Sequence, residues 1–230
     1  MSRTAILGAI RRGLRRGPLA EDDALALRAR LTAHPRHLIP ARSMLPRPQQ
    51  VALFIANVER EFATLARVAD AADVPAAVAD YLAAQNLPPA VVMAPHPALR
   101  ALPWADRPLL TLREGRAAPD DRVSLQHGFA GIAETGTLML PSGPTRPTTL
   151  NLLAETAIVV LWASRIVGAY EEAWDWLRAE QVHDGKLPRN VMLVTGPSRS
   201  ADIESVLELG AHGPRRLHVV LIEDDLAARP

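Results

Sequence analysis

From residue 91 onward the chain repeats one pattern. A short aliphatic run is followed by a loop rich in Gly, Pro or hydroxyl residues, and often by a segment of helical period. Val91 to Ala94, Leu109 to Leu112, Val123 to Gln126, residues 137–140, residues 157–162, Val191 to Val194 and Leu217 to Ile222 predict strands. Residues 168–180 and Asp202 to Leu209 predict helices between the later strands. Strands alternating with helices point to an open, mostly parallel sheet with flanking helices, an α/β fold.

Before that region the period is helical. Residues 2–16 place Ile6, Leu7, Ile10 and Leu14 on one face, and Arg11, Arg12, Arg15 and Arg16 crowd the end before Gly17-Pro18. The arginines read either as a solvated face favoured at a helix C-terminus or as a contact for an acidic partner or nucleotide. Residues 21–33 predict a second helix, and residues 34–48, with four prolines, an extended connector. Residues 49–70, carrying Val51, Phe54, Ile55, Val58, Phe62 and Leu65, predict a longer amphipathic helix, and residues 75–86 another. The expected division is a helical segment and connector at 1–48 and an α/β domain at 49–230.

Bulk properties remove several function classes. The net charge of +1 provides no global field for nucleic acid or an anionic membrane surface. With no cysteine, the chain has no disulfide, no thiol nucleophile and no thiolate ligands for an iron–sulfur cluster. No apolar run is long enough for a membrane span, and the N-terminus lacks a secretory pattern, so a cytoplasmic protein is expected.

Four segments can carry chemistry. In Ile132-Ala-Glu-Thr-Gly-Thr-Leu138, Glu134 can act as base, nucleophile or hydroxyl acceptor beside the turn-former Gly136, or can simply accept backbone N–H groups. In residues 142–149, Arg146 can grip a carboxylate or phosphate, or the loop can merely cap a helix after it. Thr195 to Glu204 comes after a strand and opens the expected helix. Ser198, Arg199 and Ser200 there suit an anion at a helix N-terminus, with Ser200 or Asp202 as the alternative N-cap. Residues 210–218 place Gly210 as a helix C-cap, His212 between glycines and His218 at the start of a strand, where a structural role is expected. No His or carboxylate spacing indicates a metal. Trp162, Trp174 and Trp176 read as packing residues.

Together, Ala133-Glu-Thr-Gly-Thr-Leu138, Ser142-Gly-Pro144, Ser164-Arg-Ile-Val167, Gly196-Pro-Ser-Arg-Ser-Ala-Asp-Ile-Glu204 and Gly210-Ala-His-Gly-Pro-Arg-Arg-Leu-His218 resemble the LUD-domain family, lactate utilization protein C type. The likeness is strong over residues 128–222. It implies a fold like the NagB/RpiA/CoA-transferase group. It also implies a role in oxidation of L-lactate to pyruvate, as a component of an L-lactate dehydrogenase complex whose partner subunits carry the iron–sulfur clusters. The motif positions present are Glu134, Thr135, Gly136, Ser198, Arg199, Asp202, Glu204, His212 and Arg215. Family members often have a histidine where this chain has Ala157.

On that reading Arg199 or Arg146 holds a carboxylate, while Glu134 or His212 assists proton removal. Thr135, Gly136, Ser198, Ser200, Asp202 and Arg215 complete the expected ligand site, and no cofactor is assigned to this chain. Two alternatives stand beside it. One is a CoA-transferase or ligase using Glu134 as nucleophile; the other is a non-catalytic assembly or regulatory subunit. A homo-oligomer is compatible with each.

Overall fold

The computed structural model describes residues 2–15, 17–181, 187–203 and 206–224. Its contacts separate two compact units, Met1–Leu38 and Ile39–Pro230. The first contains two helices, α1 (Arg3–Gly13) and α2 (Glu21–Ala33). Ser2 caps α1 by accepting from the Ala5 N–H at 3.3 Å, and Arg11 and Arg12 lie in its last turn, where positive charge is favoured. Neither helix buries a described residue, and Ile6, Leu7, Ile10, Leu25, Leu27 and Leu31 all stay exposed.

The second unit begins with α3 (Arg47–Arg60), β1 (Thr64–Val68), α4 (Val74–Ala84), β2 (Ala90–Met93), the short α5 (Pro97–Arg100) and β3 (Thr111–Glu114). It continues with β4 (Val123–His127), β5 (Ala130–Ile132), β6 (Thr137–Pro141), β7 (Thr156–Trp162), β8 (Ile166–Val167) and α6 (Tyr170–Gln181). The final elements are β9 (Val191–Val194), β10 (Arg199–Ile203), β11 (Val206–Leu209) and β12 (Arg216–Ile222).

Six strands form one parallel sheet in the order β1-β12-β7-β4-β2-β3. The expected α/β architecture is therefore present. The two central strands are apolar on both faces, as a sheet covered on both sides requires. Val220 and Ile222 of β12, with Ile158 and Val160 of β7, face a core closed by Val74, Val78 and Leu82 of α4. Leu217, Val219 and Leu221, with Val159 and Leu161, face the opposite core, closed by Phe54 and Val58 of α3 and by Leu138 and Ile166. Each such Val, Leu or Ile contributes roughly 1.5–3 kcal/mol on burial.

A second sheet, in the order β8-β5-β6-β9, backs that opposite core. Leu138 and Leu140 of β6 point into it, while Met139 alternates to a third cluster with Phe129, Ile132 and, from α6, Ala173 and Leu177. Trp174 and Trp176 pack against this cluster, as expected.

Three sequence expectations are corrected. The helix expected over 49–70 ends at Arg60 because Phe62 adopts a left-handed φ of 66°. Leu65, in phase with the helix, instead lies in β1. The helix expected from Asp202 to Leu209 is an antiparallel hairpin of β10 and β11, with Arg199 opposite Leu209 and Ile203 opposite Val206. Gly210 accordingly comes after a strand and is not a helix C-cap.

Candidate functional site

Two neighbourhoods gather chemistry-bearing side chains. The first is built by motifs legible in the sequence. Gly136 has φ +69°, and a Cβ there would stand 2.7 Å from the backbone of Asn57 and Val58 in α3. Only glycine fits without a shift. Asn57 secures the turn further by donating through Nδ2 to the Ala133 carbonyl at 2.7 Å. Beside it, the Thr135, Thr137 and Tyr170 hydroxyls interconnect at 2.6–2.9 Å, and Thr137 continues to Thr195 at 2.6 Å. This hydroxyl chain links the Glu134 turn to the loop that enters β10.

Glu134 itself is 11% exposed and accepts from Arg42 Nη2 at 3.0 Å. Its carboxylate is thus engaged with a guanidinium, a partner the sequence did not suggest. Arg199 pairs with Glu61 at 3.6 Å and lies 4.3 Å over the Phe62 ring, at the far end of α3. Ser198 Oγ accepts from the His212 backbone N–H at 3.1 Å, so these two residues do meet. His212 and Arg215 are exposed in the loop before β12, and Ser200 stands opposite Glu208 in the hairpin. Asp202 contributes backbone to β10, and Glu204 lies outside the described residues. Since Ser198 to Ile203 lead into a strand, the expected anion site at a helix N-terminus is absent from this loop.

Arg146 is the exception among the expected ligand residues, because it belongs to the second neighbourhood. This lies at the carboxyl ends of the parallel strands. From β2 the sheet continues to β3 on one side and to β4 on the other. Such a change of direction opens a crevice beyond the strand ends. His96 stands just after β2 and His127 ends β4, and their rings stack in direct contact at these strand ends, with centroids 3.9 Å apart and planes 19° apart. Trp162, the last residue of β7, closes the group 5.1 Å from His127.

Arg146 Nη2 lies 3.1 Å from His127 Nδ1. A guanidinium can only donate, so Nδ1 accepts and the neutral ring carries its proton on Nε2. His96 Nδ1 likewise accepts from the Ala98 N–H at 3.3 Å. Burial, then Arg146, pushes His96 down to about 4. Burial, then His96, Arg146 and Arg165, pushes His127 down to about 2. Both rings are neutral at ordinary pH and present Nε2–H donors.

The two arginines of this crevice differ sharply. Arg165 makes a two-pronged pair with Glu180 at 2.9 and 3.0 Å, donates through Nε to the Phe129 carbonyl and stacks over Phe129 and Trp176. Arg146 has no carboxylate partner among the described residues, and its buried Nε has no acceptor. Burial and the charge of Arg165 bring its guanidinium down to about 10. It borders a cleft of about 290 Å³ that is also lined by Arg116, Ser142, Gly143, Thr148 and Thr149.

Sequence reasoning missed His96 and His127 because no short motif links them, while Trp162, expected to pack, does so against the core of the parallel sheet. The usable signal was positional: His96 and His127 each stand just beyond an expected strand, at the end where open sheets bind ligands. Ala157 is 3% exposed in β7, beside Gln126 and Asn151 and a void of about 20 Å³.

Most of this crevice falls inside a known domain, since residues 122–222 match the LUD domain. Over that span the chain is similar to the LUD domain. Over 108 residues it is 37% identical to a lactate utilization protein C of a Geobacillus species, covering 46% of this chain and 44% of that one. It is 36% identical over 109 residues to lactate utilization protein C of Bacillus subtilis, covering 47% and 45%. An uncharacterized protein of Neisseria meningitidis is 41% identical over 107 residues, 45% of each chain. The matched part spans less than half the length of each relative. A crystal structure of a DUF162 family protein from Deinococcus radiodurans has the same fold, with a TM-score of 0.60 and 24% identity over 77% of this chain and 99% of that one. Among the described residues no helix is long and apolar enough to cross a membrane.

Proposed function

We propose that this chain is a subunit of an L-lactate utilization system, in which lactate is oxidised to pyruvate and partner subunits carry the iron–sulfur clusters. The carrying observation is the LUD-domain match together with its content. The matched span, residues 122–222, includes His127, Arg146, Trp162 and Arg165, four residues of the crevice. The relatives bearing the name lactate utilization protein C match over a similar length of chain. A chain without cysteine has no thiolates to hold a cluster, which makes electron transfer the task of a partner.

Deletion of the gene in its own host tests the role: growth on L-lactate should fail and return on complementation, while growth on another carbon source is unaffected. Unimpaired growth of the deletion strain on L-lactate would sink the reading. Affinity purification from the same host tests the partners, with iron–sulfur proteins expected to co-purify.

An assembly role for part of the chain is favoured by a separate observation. Helices α1 and α2 form a unit whose large aliphatic residues are all exposed, although 11 and 13 residues are too few for isolated helices to be stable in water. Shortening the chain to residue 39 should then abolish co-purification and leave the folded second unit intact by circular dichroism.

A further inference from the structure

We infer that Arg146 and the adjoining 142–149 cleft form a binding site for a small carboxylate, in which His127 positions the guanidinium and does not abstract a proton. The choice of a carboxylate rests on the lactate reading; the anion site itself rests on the geometry.

Three observations converge. First, Arg146 is a mostly buried cation that makes no salt bridge among the described residues; the Glu180 carboxylate acts on it only at longer range and is itself held two-pronged by Arg165. Burying an unpaired charge is costly, and an anion seated against it removes that cost. Second, the guanidinium borders a cleft whose other polar groups include Arg116 and the hydroxyls of Ser142, Thr148 and Thr149, while its Nε–H is buried without an acceptor among the described residues. Among the residues lining that cleft none is acidic. Third, the histidines offer no free base. His127 Nδ1 accepts from Arg146, and His96 Nδ1 accepts from Ala98. What remains on each ring is a donor.

Among the described residues, the charged and titratable groups around the site are Arg146 and Arg116 at the cleft, Arg165 and Glu180 as a closed pair, and two neutral histidines. A planar carboxylate matches the edge of a guanidinium with two parallel N–H···O bonds. Histidines that stay neutral above about pH 6 make binding independent of pH through the neutral range.

The test is isothermal titration and thermal denaturation of the full chain with L-lactate, pyruvate and inorganic phosphate as probes. L-lactate and pyruvate should bind saturably and raise the melting temperature, with affinity unchanged between pH 6.5 and 8. Arg146→Met should weaken binding roughly hundredfold while the protein remains folded. His127→Leu should weaken it about tenfold, and His127→Gln, which restores an acceptor to the guanidinium, should recover most of that loss. Arg116→Gln, at the exposed side of the cleft, serves as a second variant if Arg146→Met does not fold, and it too should weaken binding.

An Arg146→Met protein that binds L-lactate like the wild type overturns the site. Phosphate binding equal to that of L-lactate overturns the carboxylate assignment. Affinity that falls steeply between pH 6.5 and 8 overturns the neutral-histidine arrangement. The functional reading fails separately. If gene deletion leaves growth on L-lactate intact while carboxylates still bind through Arg146, the site stands and the lactate role falls. If no carboxylate binds but the deletion strain cannot use L-lactate, the site alone falls.

Discussion

The Glu134 turn and the crevice beyond β2 and β4 lie in the same unit, yet they solve opposite problems. At the turn the polar groups described are matched: Glu134 by Arg42, the Ala133 carbonyl by Asn57, Thr135 and Thr137 by Tyr170. Its glycine is dictated by the approach of another backbone. In the crevice, Arg146 is left with an unmet donor and both histidines are held neutral against their ordinary behaviour. The contrast teaches that a dense motif can mark where backbones crowd, while the residues poised for a ligand come from separate strand ends.

Four measurements break or sharpen this contrast. The largest effect should come from Gly168→Ala, beside the turn. A Cβ at Gly168 would stand 1.9 Å from the Ser43 carbonyl oxygen, so the substitution should cost about 4 kcal/mol or more, read as loss of soluble protein or a collapsed melting temperature. A normally stable variant would show that the turn is not backbone-determined.

Next is acid sensitivity of the crevice. His127 is pushed down to about 2 by burial and by His96, Arg146 and Arg165, so the folded protein keeps it neutral while the unfolded chain takes up a proton below about 6.5. The unfolded state then binds more protons, and stability falls as pH drops. Between pH 6.5 and 4 this amounts to about 3 kcal/mol for His127. Urea denaturation of wild type and His127→Gln at both pH values should show the variant losing less by that difference. Equal losses would mean that His127 is not held neutral.

Arg165→Met should cost about 2 kcal/mol by leaving Glu180 without its partner and removing the bond to Phe129, measurable by urea denaturation at pH 7. Glu134→Gln should have the smallest effect on stability, under about 1 kcal/mol, because its partner Arg42 is 62% exposed. A much larger cost would place Glu134 among the structural elements of the core.

Much of the fold was legible because its strands are short aliphatic runs bounded by turn formers. The central strands β7 and β12 fell where the sequence indicates, as did α4 and α6. Two errors share a cause. Leu65 continues the helical phase of Val58 and Phe62, but the turn at Phe62 and the partner strand of β1 are set by distant residues: Thr64 lies opposite His218. Residues 202–209 fit a helical period, yet a short apolar pattern cannot distinguish a helix from one arm of a hairpin.

The site was legible in a different measure. Arg146 stood out by its loop, and His212 and Ser198 do meet, through a backbone N–H. The pairing of Arg42 with Glu134 joins residues 92 apart, and the contact of Arg146 with His127 depends on a loop folding over the end of β4. His218, expected to be structural, stacks on Tyr81 at 3.8 Å and shares a hydrogen bond with Thr64.

The position of β12 between β1 and β7 has a consequence during synthesis. Among the described strands β1 hydrogen-bonds to β12 alone, and Thr64 and His218 are 154 residues apart. At about 5–20 residues per second, a ribosome needs roughly 8–30 s to make the intervening chain. For that interval β1 waits without its partner, and once β7 has been made its aliphatic flank stays uncovered until β12 follows. A nascent chain halted before β12 should therefore be a preferred client of chaperones at the tunnel exit, and release of those chaperones should coincide with emergence of residues 216–222.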